Sequence, residues 1–251
     1  MQIRKIFCQR VSETYELFRK VVLDFKPIFL TFILILVVST VIYVVSIALP
    51  FLNDILAASP QTLWGVVTSL FTHGGGTGHL VDNMLALLAY FSLFAISNSF
   101  LSNEEKRGRI SFFLIVIFLT SITSNAVCII SMPQTTTTGS SGVVFASEGV
   151  MMGFSLLNSL GILSLGKCGK QDRKLLLRTF LSNFPVFLIF FFQILLTPQL
   201  FLNVGPQVNV FVHGVAFLSS FLLAFLWYQV KQWLNTRKNL HEDKTSTFHR
   251  F

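Results

Sequence analysis

A chain of 251 residues that is 53% hydrophobic, with 28 phenylalanines and only 12% charged residues, cannot clothe a water-soluble surface, for which about a quarter of residues are charged. The net charge of +8, from 19 Lys and Arg against 11 Asp and Glu, shows no basic stripe interleaved with aromatics, which excludes a nucleic-acid partner. The bilayer is the natural solvent for this composition.

The first 26 residues place Ile3, Ile6, Phe7, Val11, Tyr15, Phe18, Val22 and Phe25 at helical spacing with basic residues between them. The pattern suits an amphipathic helix on the cytoplasmic leaflet or a short soluble cap helix. The apolar run that follows begins too late and is too long for a cleaved signal peptide. Six apolar stretches follow at Ile28–Leu49, His79–Ile96, Ile110–Ile130, Gly142–Leu163, Thr179–Thr197 and Val208–Val230. Each is close to the roughly 20 residues that cross a hydrocarbon core of about 30 Å. None alternates polar and apolar residues as a barrel strand does, so helices are predicted. Residues 27–232 form the six-helix membrane domain, and residues 233–251 a polar cytoplasmic tail.

Charge orients the bundle. Six Lys and Arg precede span one, three follow span two, five follow span four and five follow span six; the loops after spans one, three and five have none. By the positive-inside rule both termini are cytoplasmic and the uncharged loops face out. The three cysteines, Cys8, Cys128 and Cys168, lack disulfide or zinc spacing, and neither metal nor cofactor is expected. No internal repeat supports an inverted-repeat transporter.

Polar side chains inside spans are costly and mark sites. The candidates are His79, Asp82 and Asn83 in span two, Ser140, Ser141 and Glu148 around the start of span four, Gln193 in span five, and His213 with Ser219 and Ser220 in span six. Spans two, four and six all start at the outer face, so His79, Asn83, Ser141 and His213 converge at similar depth. His79 and Asn83, four apart, share a helix face. Gly139 and Gly142 permit a tight turn and a close helix approach, and the helix start offers unpaired backbone N–H groups. These are the parts of acyl transfer: a serine, an imidazole base, and donors for an oxyanion. No third acid is placed to orient His213, so a Ser–His pair with separate oxyanion donors is the natural assignment.

These residues resemble the rhomboid intramembrane serine proteases, from about Thr62 to Trp227. The shared motifs are Gly139-Ser140-Ser141-Gly142, His79-Leu80-Val81-Asp82-Asn83, and His213-Gly214-Val215-Ala216, with "LWGVVTSLFTH" ahead of span two. The resemblance implies a six-helix all-α bundle. It implies Ser141 as nucleophile, His213 as general base, and His79, Asn83 and the Ser141 N–H as oxyanion hole. Phe145 would pack against the catalytic histidine in a water-filled pocket open to the outside. Transmembrane proteins would be cut near their outer ends, in the cell membrane; the oligomeric state is left open. Trp64 is followed by Gly65 where the family often has Arg, so an ion pair steadying the first outer loop is absent. Ala216 and Ser220 replace glycines of span six, which implies slightly wider packing on span four. Glu148 stands at a position usually apolar; it is expected to be protonated and bonded within the bundle, with no catalytic role. The rival reading is a silent rhomboid-like protein that binds transmembrane segments, though such proteins generally lose the Ser or His kept here.

Overall fold

A computed structural model describes residues 14–16, 18–74, 76–163, 169–196 and 210–248. The amphipathic segment predicted over residues 1–26 lies largely outside the described residues. Six long helices follow: α1 (Lys26–Ala48), α2 (Gly76–Asn98), α3 (Asn103–Ser131), α4 (Ser141–Leu160), α5 (Lys170–Leu196) and α6 (Val210–Phe248). Each is long and apolar enough to cross a membrane, and among the described residues no β-strand occurs beyond two isolated bridges. The chain is a multi-pass membrane protein. Continuous apolar sequence lets each helix satisfy its own backbone where water cannot.

Local chemistry sets the ends. α1 stops before Pro50, because a proline disfavours helical backbone in the residue ahead of it. Ser102 caps α3: its Oγ accepts the Glu105 N–H and donates to a Glu105 carboxylate oxygen, both at 3.3 Å. The Ser-x-x-Glu spacing is that of a capping box, with the carboxylate meeting the Ser102 hydroxyl instead of its backbone N–H. α6 has no such stop. It runs on to Phe248, so residues 233–248 of the polar tail continue the helix.

α4 is the axis of the bundle. About 78% of its membrane window is buried, against 17% for α1 and for α5. α2, α3, α5 and α6 all pack on it, α6 most extensively. Small residues make that possible. A Cβ at Gly149 would collide with the Phe217 carbonyl and the Ser220 hydroxyl. One at Gly153 would lie 2.9 Å from Ala224 Cβ and 3.2 Å from the Phe221 carbonyl. The close approach expected to suffer from Ala216 and Ser220 is therefore provided from the other helix, by a Gly-x-x-x-Gly step on α4.

Two bases read as topology signals are also structural. Arg109 is only 5% exposed; it donates to Asn98 Oδ1 at 2.9 Å and to Asn158 Oδ1 at 3.0 Å. Asn158 in turn donates to Asn183 Oδ1 at 3.0 Å, so the guanidinium ties α2, α3, α4 and α5 together. Lys106 pairs with Asp24 at 2.6 Å. At the opposite end of the bundle, the α1–α2 loop is steadied without an ion pair. The Trp64 indole donates to the Ile55 carbonyl at 2.8 Å, and Thr68 Oγ1 donates to the Leu56 carbonyl at 2.8 Å. Gly65 belongs there because any Cβ would run into the Ala57 carbonyl.

Candidate active site

The loop after α1 and the loop before α4 form one lid-like layer over the site end. Ala58 and Thr137 exchange two backbone hydrogen bonds of 3.0 Å, and the Gly139 N–H donates to the Ser69 carbonyl at 2.8 Å. Asn125 of α3 holds both loops: it donates to the Val66 carbonyl at 3.2 Å and to Ser69 Oγ at 3.0 Å, and its Oδ1 accepts from Thr137 Oγ1 at 3.4 Å. This frame delivers residues 139–141 to the top of the axial helix.

Gly139 takes φ +112°, a left-handed backbone that disfavours any side chain. Space forbids one too: a Cβ would sit 3.0 Å from His79 Nε2 and 3.8 Å from Ser141 Oγ. Position 139 is thus the gap across which His79 and Ser141 face each other. Gly142 is less constrained, since a Cβ there would meet Ser121 and Val212 at ordinary contact distances of 3.5–3.7 Å.

Ser141, His213, His79 and Gly139 line one open cavity of about 1110 Å³, whose lining also includes the polar residues Thr135–Thr138, Asn53 and Asp54. The His213 ring stacks on Phe145 at 4.2 Å and 21°, one turn along α4 from Ser141. Among the described residues, His213 Nδ1 has no hydrogen-bond partner. Asn83 Nδ2 lies 3.3 Å from His79 Nε2, so the i, i+4 pair does share a face. Among the described residues no group of His, Cys, Asp or Glu could hold a metal.

Sequence reasoning overlooked His73. It lies between the turn Ser69–Phe71 and α2, buried at 2% exposure. Its Nε2 is 3.1 Å from Ser140 Oγ and 3.5 Å from Asn83 Nδ2. The available signal was a second histidine six residues ahead of His79, across a glycine stretch that hides its distance in space. Ser140 is fully buried, held by His73, and does not line the cavity. Ser141 does.

Burial, and then the charge of a protonated His79, push the His73 pKa down from 6.5 to about 4. A histidine whose folded pKa lies below its unfolded value is penalised when it protonates. Stability is therefore full above pH 6.5 and is lost as the pH falls toward 4, by about 3 kcal/mol. The melting temperature of the protein in detergent is expected to drop through that window. The His73→Gln protein should show a shallower drop; parallel profiles would contradict the assignment.

Glu148 is fully buried inside the bundle. The Tyr90 hydroxyl of α2 donates to Glu148 Oε2 at 3.4 Å, and Tyr90 is also hydrogen-bonded to Gln193 of α5. The carboxyl thus joins α2, α4 and α5 below the cavity, away from Ser141.

Among family models, the one described as Rhomboid domain matches residues 60–230. Neither the curated proteins nor the solved structures give a match.

Proposed function

The chain belongs to the rhomboid family, a family that includes intramembrane serine proteases, and from that premise we propose that it is an active serine endopeptidase cutting transmembrane proteins. The observation that carries this reading is the single cavity shared by Ser141, His213, His79 and Gly139. In this mechanism His213 takes the Ser141 proton as Oγ attacks the scissile carbonyl, and Phe145 holds the imidazole ring in place of an acid. The oxyanion is met by His79, by Asn83 and by the Ser141 N–H at the start of α4, where backbone donors have no intrahelical partner. His213 then protonates the leaving amine as the C–N bond breaks. Water entering the open, partly polar cavity hydrolyses the acyl-enzyme by the same proton route in reverse. No cofactor takes part.

The charge distribution orients this reading: both termini are cytoplasmic and the cavity opens to the extracytoplasmic side of the cell membrane. Residues 1–26 and 233–251 then lie on the cytoplasmic face around the membrane domain of residues 27–232. The partners are membrane lipid and single-pass substrates.

The test is labelling with a fluorophosphonate, which reacts only with an activated serine, followed by peptide mapping. Label on Ser141 supports the protease. A folded protein that takes no label, yet still retains transmembrane segments, supports the silent reading instead. Gly139→Ala is expected to slow cleavage about 10²-fold, as loss of an oxyanion donor does, because the new methyl displaces His79. Initial rates beside an unchanged circular-dichroism spectrum check this; an unaltered rate would count against the placement of His79.

A further inference from the structure

We propose that His73 is the positioning residue of the oxyanion hole, fixing the Asn83 carboxamide and freeing the first-turn N–H groups of α4. The inference rests on the reading of Asn83 as an oxyanion donor. Neither His73 nor Asn83 is among the residues lining the cavity; His73 is set further back, behind Asn83 and Ser140, and acts on the site through them.

The first neighbour is Asn83. Its Nδ2 lies 3.5 Å from His73 Nε2 and 3.3 Å from His79 Nε2. An amide NH₂ has two hydrogens in one plane: one directed at His73 Nε2 fixes that plane, and the other, resting on His79 Nε2, is the one an oxyanion takes over. Donors aimed in advance are what an oxyanion hole needs. Without His73, the carboxamide is free to rotate about its last torsion, which is broad.

The second neighbour is Ser140, which precedes the nucleophile and is the N-cap residue of α4. A serine there ordinarily accepts a backbone N–H from the first turn. Here its side chain makes no capping hydrogen bond; its hydroxyl is bonded to His73 Nε2 at 3.1 Å instead. The stabilisation given up at the cap leaves the first-turn N–H groups, that of Ser141 among them, unclaimed and pointing at a site where negative charge develops. One buried imidazole thus links α2 to the start of α4.

The experiment is a double-mutant cycle on the full-length protein in proteoliposomes, with kcat and KM measured on a membrane-tethered substrate. His73→Ala is expected to lower kcat about 10- to 100-fold, short of the 10²–10³ for a lost donor, with KM within about twofold. In the Asn83→Ala background the same change should cost several-fold less than in the wild type, leaving only the part carried through Ser140, because residues acting as a unit are not additive. His73→Gln, which keeps an acceptor, should restore most of kcat. Multiplying losses, or a rise in KM with kcat kept, would overturn the inference while leaving the protease reading intact. If His73→Ala fails to insert, the same cycle run with Ser140→Ala decides it: sub-multiplicative loss with Asn83→Ala supports the link and multiplicative loss overturns it. A wild-type protein that neither labels nor cleaves overturns both readings.

Discussion

Ser141→Ala is expected to reduce cleavage of a membrane-tethered substrate by roughly 10⁴–10⁶, the range seen when a serine hydrolase loses its nucleophile. The change removes one oxygen from a residue that is already nearly buried, so insertion and thermal stability should be unaltered. Ser140→Ala is the matched comparison, because the two hydroxyls are adjacent in sequence and differ in what they touch. Ser140 is sealed against His73, whereas Ser141 opens into the cavity. The Ser140 variant should keep fluorophosphonate labelling at residue 141 and lose at most about 100-fold in rate, through a misaligned oxyanion hole. Equal abolition by both, with the fold intact, would mean that the nucleophile has been assigned to the wrong position.

Gly149→Leu is expected to separate α4 from α6 and destroy the fold. The obstacle is backbone: the Phe217 carbonyl lies where the new Cβ would go, and no rotamer change moves it. Overpacking typically costs about 1–3 kcal/mol where side chains can yield; here the helices themselves must part, and the cost exceeds that range. Because His213 rides on α6 and Ser141 on α4, labelling should vanish together with cooperative thermal unfolding. Gly142→Ala, on the same helix, should leave the melting temperature within about 2 °C, since its neighbours are at ordinary contact distance. A melting temperature for Gly149→Leu close to that of the wild type would refute the crossing as described.

Length, apolarity and charge made the six helices legible, because a bilayer allows few alternatives to a helix of about 20 residues. The motif residues were legible for a related reason: Ser141, His79, Asn83 and His213 are polar groups in apolar surroundings, and each stands out against its own segment. His73 did not stand out because it sits in a polar loop, where a histidine costs nothing in sequence terms. Only the fold reveals that Thr72 and His73 are buried while Gly74 beside them is exposed. Arg109 was hidden in the opposite way. It fell in a basic cluster that orientation already explained, and its cage of Asn98 and Asn158 joins residues from three different helices. Gly149 and Gly153 passed unnoticed, because the partners that give them meaning, Phe217 and Ser220 for the one and Phe221 and Ala224 for the other, lie about 70 residues away along the chain.

The central position of α4 has a consequence for anything that is to be cut. Four other helices pack against α4, so under the proposed protease activity a peptide bond that reaches Ser141 has to leave its intact membrane-spanning rod. It must first unwind, exposing backbone groups that hydrocarbon will not solvate. The proposed protease would therefore select segments of weak helical propensity near a bilayer surface, those rich in glycine or interrupted by proline, by their readiness to melt as much as by the side chains they carry.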